Sequence, residues 1–398
     1  MIVRQPFKCL TCGEPRIARI QIGHHNHQEH TFACSNCSEP IKIGLDLDQA
    51  NASYEVIFIE NCEPNSPEEG APIYFCPDFP ADKNLTEAEL YFPSITFSQQ
   101  LTGREFSRMI ESALRGDTPL RINEQWSLIQ RAWRLETAGK FNISSPLIAG
   151  YAATHQIDAP VFRKVLWHFL TCIFDVDENL FKEIRDIAKS NLGETRKFLL
   201  YYNENLKTLH RRSYLDLLSD YFANFSEHGQ VFRYTRQSLQ LPSGLHVTSV
   251  DFNRSKDFYA RSFEFFASAL SILTTLNNIK SGRHFNQLQS IDLGKYLETD
   301  KAKRRGSISD NPIFMAASEE FDSQVRNATF HNHFILRSDG GTIEYRTGGT
   351  GAVRTMSYTQ YLIKCGNMAR QLAQMLCAEL LLDEISCATA FVHKSPAN

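Results

Sequence analysis

Apolar and polar positions change their period along this chain, and each change marks a different kind of element. Arg16 to Ile22 alternates apolar and polar, and Ser53 to Ile59 is rich in β-branched and aromatic residues, which predicts short strands. From Thr102 to about Leu241 the apolar positions recur at three and four. Phe106, Met109, Ile110, Ala113 and Leu114 form one stripe, and Trp126, Ile129, Ala132, Trp133 and Leu135 another. Asp158 precedes Val161, Val165, Leu166, Phe169 and Ile173, and Asp177 precedes Leu180, Phe181, Ile184, Ile187 and Ala188, which predicts capped antiparallel helices. A further amphipathic helix runs through Phe258, Phe263, Phe266, Ala267, Leu270, Leu273 and Leu276, with a shorter one near Leu288 to Leu297. Beyond an apolar-periodic segment that begins near Asn311, Ile343–Arg346 and Ala352–Met356 flank a Gly-rich turn and predict a hairpin. Ser357-Tyr358-Thr359-Gln360 reads as a capping box for a closing helix through Leu362, Cys365, Ala369, Leu372, Leu376 and Leu380.

Pro64, Pro67, Pro72, Pro77, Pro80 and Pro93 crowd residues 61–93, where they remove backbone donors and predict a linker or irregular wrap. The Pro242-Ser243-Gly244 turn separates the middle helices from the last block. The expected architecture is mainly α. A β module occupies 1–60, a linker 61–100, a helical middle or sensor region 101–242, and a helical bundle with a β-hairpin insertion 243–398. With 398 residues, 42% of them hydrophobic, the chain buries more than one core. A net charge of -3 gives no overall attraction to nucleic acid, so any such contact needs a local basic patch. Met1 to Lys8 lacks the apolar core of a signal peptide, and no apolar run is long enough to span a bilayer, so the expected compartment is the cytoplasm.

In a reducing compartment the ten cysteines serve as metal ligands or core thiols rather than a disulfide framework. Cys9-Leu10-Thr11-Cys12 and Cys34-Ser35-Asn36-Cys37 are two knuckles separated by 21 residues. Two thiolate pairs on tight turns suit tetrahedral zinc, so the N-terminal module reads as a zinc ribbon with structural Zn2+ on Cys9, Cys12, Cys34 and Cys37. His24, His25, His27 and His30 lie between the knuckles; a solvated polar turn is favoured over a ligand or nucleic-acid-facing role, because four thiolates already satisfy the ion. Cys62 and Cys76 read as buried thiols, His168 and Cys172 as a core or interface pair on one helix face, and Arg211-Arg212 as solvated charge. Lys301, Lys303, Arg304 and Arg305 form the densest basic run, either an exposed loop or the contact to an RNA backbone. No Gly-rich phosphate loop, nucleophile elbow or HExxH pair occurs in the middle region.

The chemistry-bearing stretch is Gln324-Val325-Arg326-Asn327-Ala328-Thr329-Phe330-His331-Asn332-His333. A guanidinium that grips phosphate beside imidazoles that titrate near neutrality can cleave RNA without a metal. Arg326-Asn327 followed by His331 resembles the R-N-x3-H signature of HEPN domains, helical bundles that act as ribonucleases in many bacterial toxins and defence proteins. The resemblance covers residues 243–398 and implies an RNA substrate, catalytic Arg326, Asn327, His331 and His333, and growth arrest or antiviral defence as the role. It also implies a homodimer, or a higher even-numbered oligomer, with a composite site. Some relatives carry a Tyr two positions after the His, a site of silencing modification; His333 stands there in this chain.

On a straight helix of about 100° per residue, Phe321, Val325, Ala328 and Ile335 share the core face, while Phe330 and Phe334 point outward and predict a dimer seam. Arg326 and His331 then lie about 140° apart, so a partner chain, or a kink near Asn332, is needed to bring them to one phosphate. The reading from a different class is a non-catalytic adaptor, whose ribbon binds nucleic acid or protein and whose bundle only dimerises.

Overall fold

The computed structural model describes the chain apart from residues 1, 24–25, 49, 67–68, 83–92, 104–105, 108–109, 111–118, 243, 249–250, 331–332, 338–340, 347–350 and 392–398. Among the described residues the fold is mainly helical, with strands gathered near the N-terminus and ahead of the last helix. The strands are β1 (Ile2–Cys9), β2 (Pro15–Gln21), β3 (His27–Ala33), β4 (Pro40–Asp48), β5 (Ser53–Glu60), β6 (Cys62–Pro64), β7 (Ala71–Phe75), β8 (Ala81–Asp82), β9 (Leu245–His246), β10 (Phe334–Leu336), β11 (Thr342–Arg346) and β12 (Val353–Ser357). The helices are α1 (Pro93–Ser98), α2 (Pro119–Thr137), α3 (Phe141–His155), α4 (Phe162–Ile173), α5 (Glu178–Ser190), α6 (Leu192–Asn205) and α7 (Lys207–Ala223). They continue with α8 (Phe225–Gln237), α9 (Phe252–Lys280), α10 (Leu293–Glu298), α11 (Pro312–Ala316), α12 (Ser323–Phe330) and α13 (Tyr358–Phe391). No helix among the described residues is long and apolar enough to cross a membrane.

Two compact units emerge, and neither is continuous in sequence. The first takes residues 1–124, 223–257 and 324–366, the second 125–222, 258–323 and 367–398. This differs from the linear division expected at 60, 100 and 242. Each unit is rebuilt by segments that return after long excursions, which composition along the chain does not mark.

In the first unit, β1 and β2 form an antiparallel hairpin, β6 joins β1 antiparallel, and β7 joins β2 in parallel, giving the order β6-β1-β2-β7. Residues expected as linker therefore complete a sheet. Pro64 and Pro72 are tolerated because β6 and β7 are its edge strands, where a missing N–H interrupts no interior ladder. Gly70, at φ +111, lets β7 start against the first knuckle; a Cβ there would lie 2.1 Å from the Pro15 carbonyl oxygen. β3, β4 and β5 form a second, antiparallel sheet. Phe7, Ile20, Ile41, Ile43, Leu45 and Phe75 fill the core that these strands share.

His30 corrects the solvated-turn reading. It lies buried on β3, stacked on Phe75 at 5.0 Å and within 2.7 Å of Thr248 Oγ1, and burial lowers its imidazole to about 3. His27 is exposed as expected, and His24 and His25 lie outside the described residues. Later in the chain, the hairpin expected at 343–356 gains β10 as a third strand. The capping box forms as read: Gln360 N donates to Ser357 Oγ and Ser357 N donates to Gln360 Oε1, both at 3.1 Å.

The second unit is helical. Trp126 stacks on Phe222 at 4.7 Å, with Phe169 against both rings. Asp177 caps α5 through Asn179 N, whereas Asp158 does not cap α4, which starts after Val161. A fully buried carboxylate, Glu379 on α13, accepts hydrogen bonds from Tyr202 (2.8 Å), Tyr214 (2.9 Å) and His210 Nδ1 (2.8 Å). Arg211, expected as solvated charge, is instead ion-paired with Asp383 at 3.0 Å. Burial pushes the Glu379 carboxyl up, but His210 and Arg211 beside it and the donated hydrogen bonds win, leaving it below the usual carboxylate range.

All three tryptophans, Trp126, Trp133 and Trp167, lie in the second unit, so their fluorescence reports its unfolding. Glu379→Gln removes the one charge that three donors share and is expected to cost about 3 kcal/mol in tryptophan-monitored urea unfolding. Because the folded carboxyl titrates below its ordinary 4.5, its contribution is complete above that pH and is lost as pH falls through the lowered folded value. Wild type should lose this increment on acidification and Glu379→Gln should not.

Candidate functional site

Two places carry chemistry, and the first is built by two matching turns. In the β1–β2 turn, Cys9 N donates to Glu14 O (3.0 Å) and Gly13 N to Cys9 O (2.8 Å). In the β3–β4 turn, Cys34 N donates to Glu39 O and Ser38 N to Cys34 O, both at 2.9 Å. Gly13 and Ser38 hold the same left-handed backbone, at φ +76 and +61. The strands leave in equivalent register, with Lys8 opposite Pro15 and Ala33 opposite Pro40. Behind this equivalence is a repeat in the sequence, Cys-x-x-Cys-x-Glu-Pro at 9–15 and 34–40, which sharpens the knuckle reading beyond its cysteine spacing.

The turns bring Cys9, Cys12, Cys34 and Cys37 together, with all four sulfurs within 4.8 Å of one another. Cys9 Sγ lies 3.8 Å from Cys37 Sγ, and Cys12 Sγ 3.6 Å from Cys34 Sγ. Sulfurs about 2.3 Å from a central ion would stand about 3.8 Å apart on a tetrahedron, so the donor set fits one soft divalent metal. The electrostatics agree. The Glu14 amide lowers the Cys12 thiol to about 7. Cys37, which the Glu39 amide also favours as thiolate, is pushed up to about 12 by burial and by the other three sulfurs. Four sulfurs this close suit a cation among them.

Arg16 ties the turns from outside, paired with Glu14 at 3.1 Å and hydrogen-bonded to Ser35. Cys62 is not a fifth ligand. It lies opposite Cys9 in the sheet and donates to Lys42 O at 3.3 Å, and burial raises its thiol to about 11. Cys76 is likewise a buried thiol. Asn61, to which neither spacing nor periodicity draws notice, reaches both turns.

The second place is α12 and the segment that joins it to β10. Val325 and Ala328 are buried as the core stripe expected, and Phe321 stacks on Phe263 at 4.4 Å. Arg326 is half-buried and donates from Nη1 to Asn327 Oδ1 at 2.8 Å, while Thr329 Oγ1 donates to Arg326 O at 2.6 Å. The helix ends at Phe330, whose side chain, like His331 and Asn332, lies outside the described residues. His333 is half-buried, and its carbonyl accepts from Arg346 N at 3.3 Å.

Phe334 overturns the straight-helix reading. It opens β10 rather than continuing α12, and it is buried, stacked on Phe252 at 5.7 Å and 4.8 Å from the Tyr361 ring. Ile335, expected on the core face, is 58% exposed instead. Replacing a 3.6-residue period by a two-residue one inverts both positions. Phe334 is therefore a core residue and not part of a dimer seam, whereas the 140° separation was drawn to His331, which lies outside the described residues.

The basic run is also mostly spent inside the chain. It forms a 3-10 helix over Lys301–Ile308. Arg304 is buried, donates to Ala267 O and Leu297 O, and lies over the Tyr296 ring. Arg305 donates to Ser318 Oγ and Met315 O at 3.1 Å, and Lys301 pairs with Glu264 at 2.7 Å. Leu297 and Met315 lie in the last turns of α10 and α11, so these arginines satisfy helix C-terminal carbonyls rather than waiting for phosphate. Lys303 is the exposed member of the run. In the middle region Cys172 Sγ lies 3.6 Å from His168 Nε2, and Tyr151 OH is 3.1 Å from His168 Nδ1. His168 and Cys172 are both half-buried and share one helix face, as the expected core or interface pair requires.

No protein-family model, curated protein or solved structure matches this chain.

Elemental analysis of the purified chain is expected to find one divalent ion bound, and none in Cys34→Ser/Cys37→Ser. Phe334→Ala is expected to cost the first unit about 3 kcal/mol, read by chemical denaturation, with no change in oligomeric mass. Dissociation of an oligomer without loss of stability would restore the partner-facing reading.

Proposed function

We propose that this chain is an endoribonuclease of HEPN type that acts as a homodimer in growth arrest or antiviral defence, with its N-terminal cysteines holding one structural zinc ion. What supports the nuclease reading most is the Arg326–Asn327 pair. An amide oxygen orients a half-buried guanidinium on α12, five residues ahead of His331 in the sequence. A fork of oriented donors is what the charge on a scissile phosphodiester requires, and His331 follows it closely in sequence.

In the proposed reaction the 2′-oxygen of a ribose attacks its adjacent phosphorus. The 2′-O–P bond forms and the P–O5′ bond breaks, leaving a 2′,3′-cyclic phosphate and a 5′-hydroxyl. His331 takes the 2′-hydroxyl proton and His333 returns one to the leaving oxygen, while Arg326 offsets charge on the phosphoryl oxygens. Asn327 holds Arg326 in line. Zinc stands apart from this chemistry, because a site closed by four thiolates leaves no position for substrate.

One observation favours the adaptor reading. Lys301, Arg304 and Arg305 are engaged within the chain, so the RNA contact expected of that run falls to Lys303. The two readings separate by mutation. His331→Ala and Arg326→Ala are each expected to slow cleavage of total RNA at least about 100-fold while preserving the fold. If purified wild type leaves RNA intact and His331→Ala behaves identically in cells, the nuclease reading fails.

A further inference from the structure

The geometry assigns Asn61 the role of a positioning residue for the four-cysteine metal centre, an inference that rests on reading those cysteines as a metal site. Asn61 is the single residue between β5 and β6, where the chain leaves one sheet of the first unit and enters the other. Its backbone is left-handed, at φ +53. Glycine adopts that conformation freely, whereas asparagine tolerates it among side chains that mostly do not. A side chain kept at such a corner points to a use for it.

Every polar group beyond its own N–H is committed to the two turns. The Asn61 carbonyl accepts from Leu10 N at 3.1 Å. Oδ1 accepts from Thr11 N at 3.1 Å and from Thr11 Oγ1 at 2.8 Å. Nδ2 donates to Pro40 O at 3.0 Å and lies 3.7 Å from Cys9 Sγ. Leu10 and Thr11 are the two residues inside the first knuckle, and Pro40 ends the second. One amide thus grips both halves of the donor set and offers an N–H to a ligand sulfur.

The contacts act on the centre in two ways. Fixing one turn against the other preorganises the four sulfurs, so an ion that leaves must break the whole set rather than peel off one knuckle. The N–H directed at Cys9 also draws charge from that sulfur, which weakens its donation to a bound metal.

The test uses the full chain loaded with Zn(II) or Co(II). Zinc transfer to a chromogenic chelator gives the release rate, and the sulfur-to-cobalt charge-transfer band reports thiolate donor strength. Asn61→Gly keeps the corner at ease and deletes the side chain. It is expected to release zinc about 10- to 100-fold faster and to shift the cobalt band to longer wavelength, with the tryptophan-reported second unit unchanged. Asn61→Asp keeps the acceptor for Thr11 but sets a carboxylate against Pro40 O and Cys9 Sγ, and should release zinc faster still. It serves as the readout if the glycine variant does not fold. Wild-type release and an unshifted band in both variants would overturn the assignment and leave Asn61 as a strand corner. A wild-type chain with no sulfur-to-cobalt band would overturn the metal-centre reading, and this assignment with it.

Discussion

Like charges do not gather in a protein without something to gather around, and four thiols within 4.8 Å state that constraint plainly. The β module meets it with two copies of one turn, in which the Glu14 amide favours the Cys12 thiolate and the Glu39 amide the Cys37 thiolate, while the neighbouring sulfurs push Cys37 up. The four sulfurs suit a metal ion held between them. The core beneath is built on residues such as Phe7, Ile41 and Phe75, and Asn61 links the two turns above it.

The helical unit meets the same constraint with opposite means. Glu379 is fully buried yet held below the usual carboxylate range, because two tyrosines and His210 donate to it and Arg211 lies near. Arg304 is the mirror case, a buried cation satisfied by backbone carbonyls and the Tyr296 ring. Glu379 draws its donors from 165 to 177 residues away, and Arg304 reaches back 37 residues to Ala267 as well as to the adjacent α10.

That distance explains which features were legible in the sequence and which were not. The knuckles, the Ser357–Gln360 capping box and the Val325 and Ala328 core positions are local signals, and they form as read. His30 looked like part of a polar turn because its partner, Thr248, is 218 residues away. Lys301, Arg304 and Arg305 looked like a phosphate-binding run because nothing nearby shows which carbonyls and carboxylates would take them. Short edge strands rich in proline read as linker. Phe334 and Ile335 exchanged faces because the stripe runs on past the helix end, into a strand three residues long. The Cys-x-x-Cys-x-Glu-Pro repeat was legible throughout and needed only to be aligned with itself.

For the reactive stretch, the surviving content is narrower and chemically sharper. Arg326 and Asn327 are joined side chain to side chain in the last described turn of α12, and His331 lies outside the described residues. Proton transfer at a ribose phosphate is the central claim, so the ends of the cleaved RNA test it most directly. Fragments made by the wild-type chain should carry 2′,3′-cyclic phosphate and 5′-hydroxyl termini. Fragments ending in 3′-hydroxyl and 5′-phosphate, or no fragments at all, would contradict it.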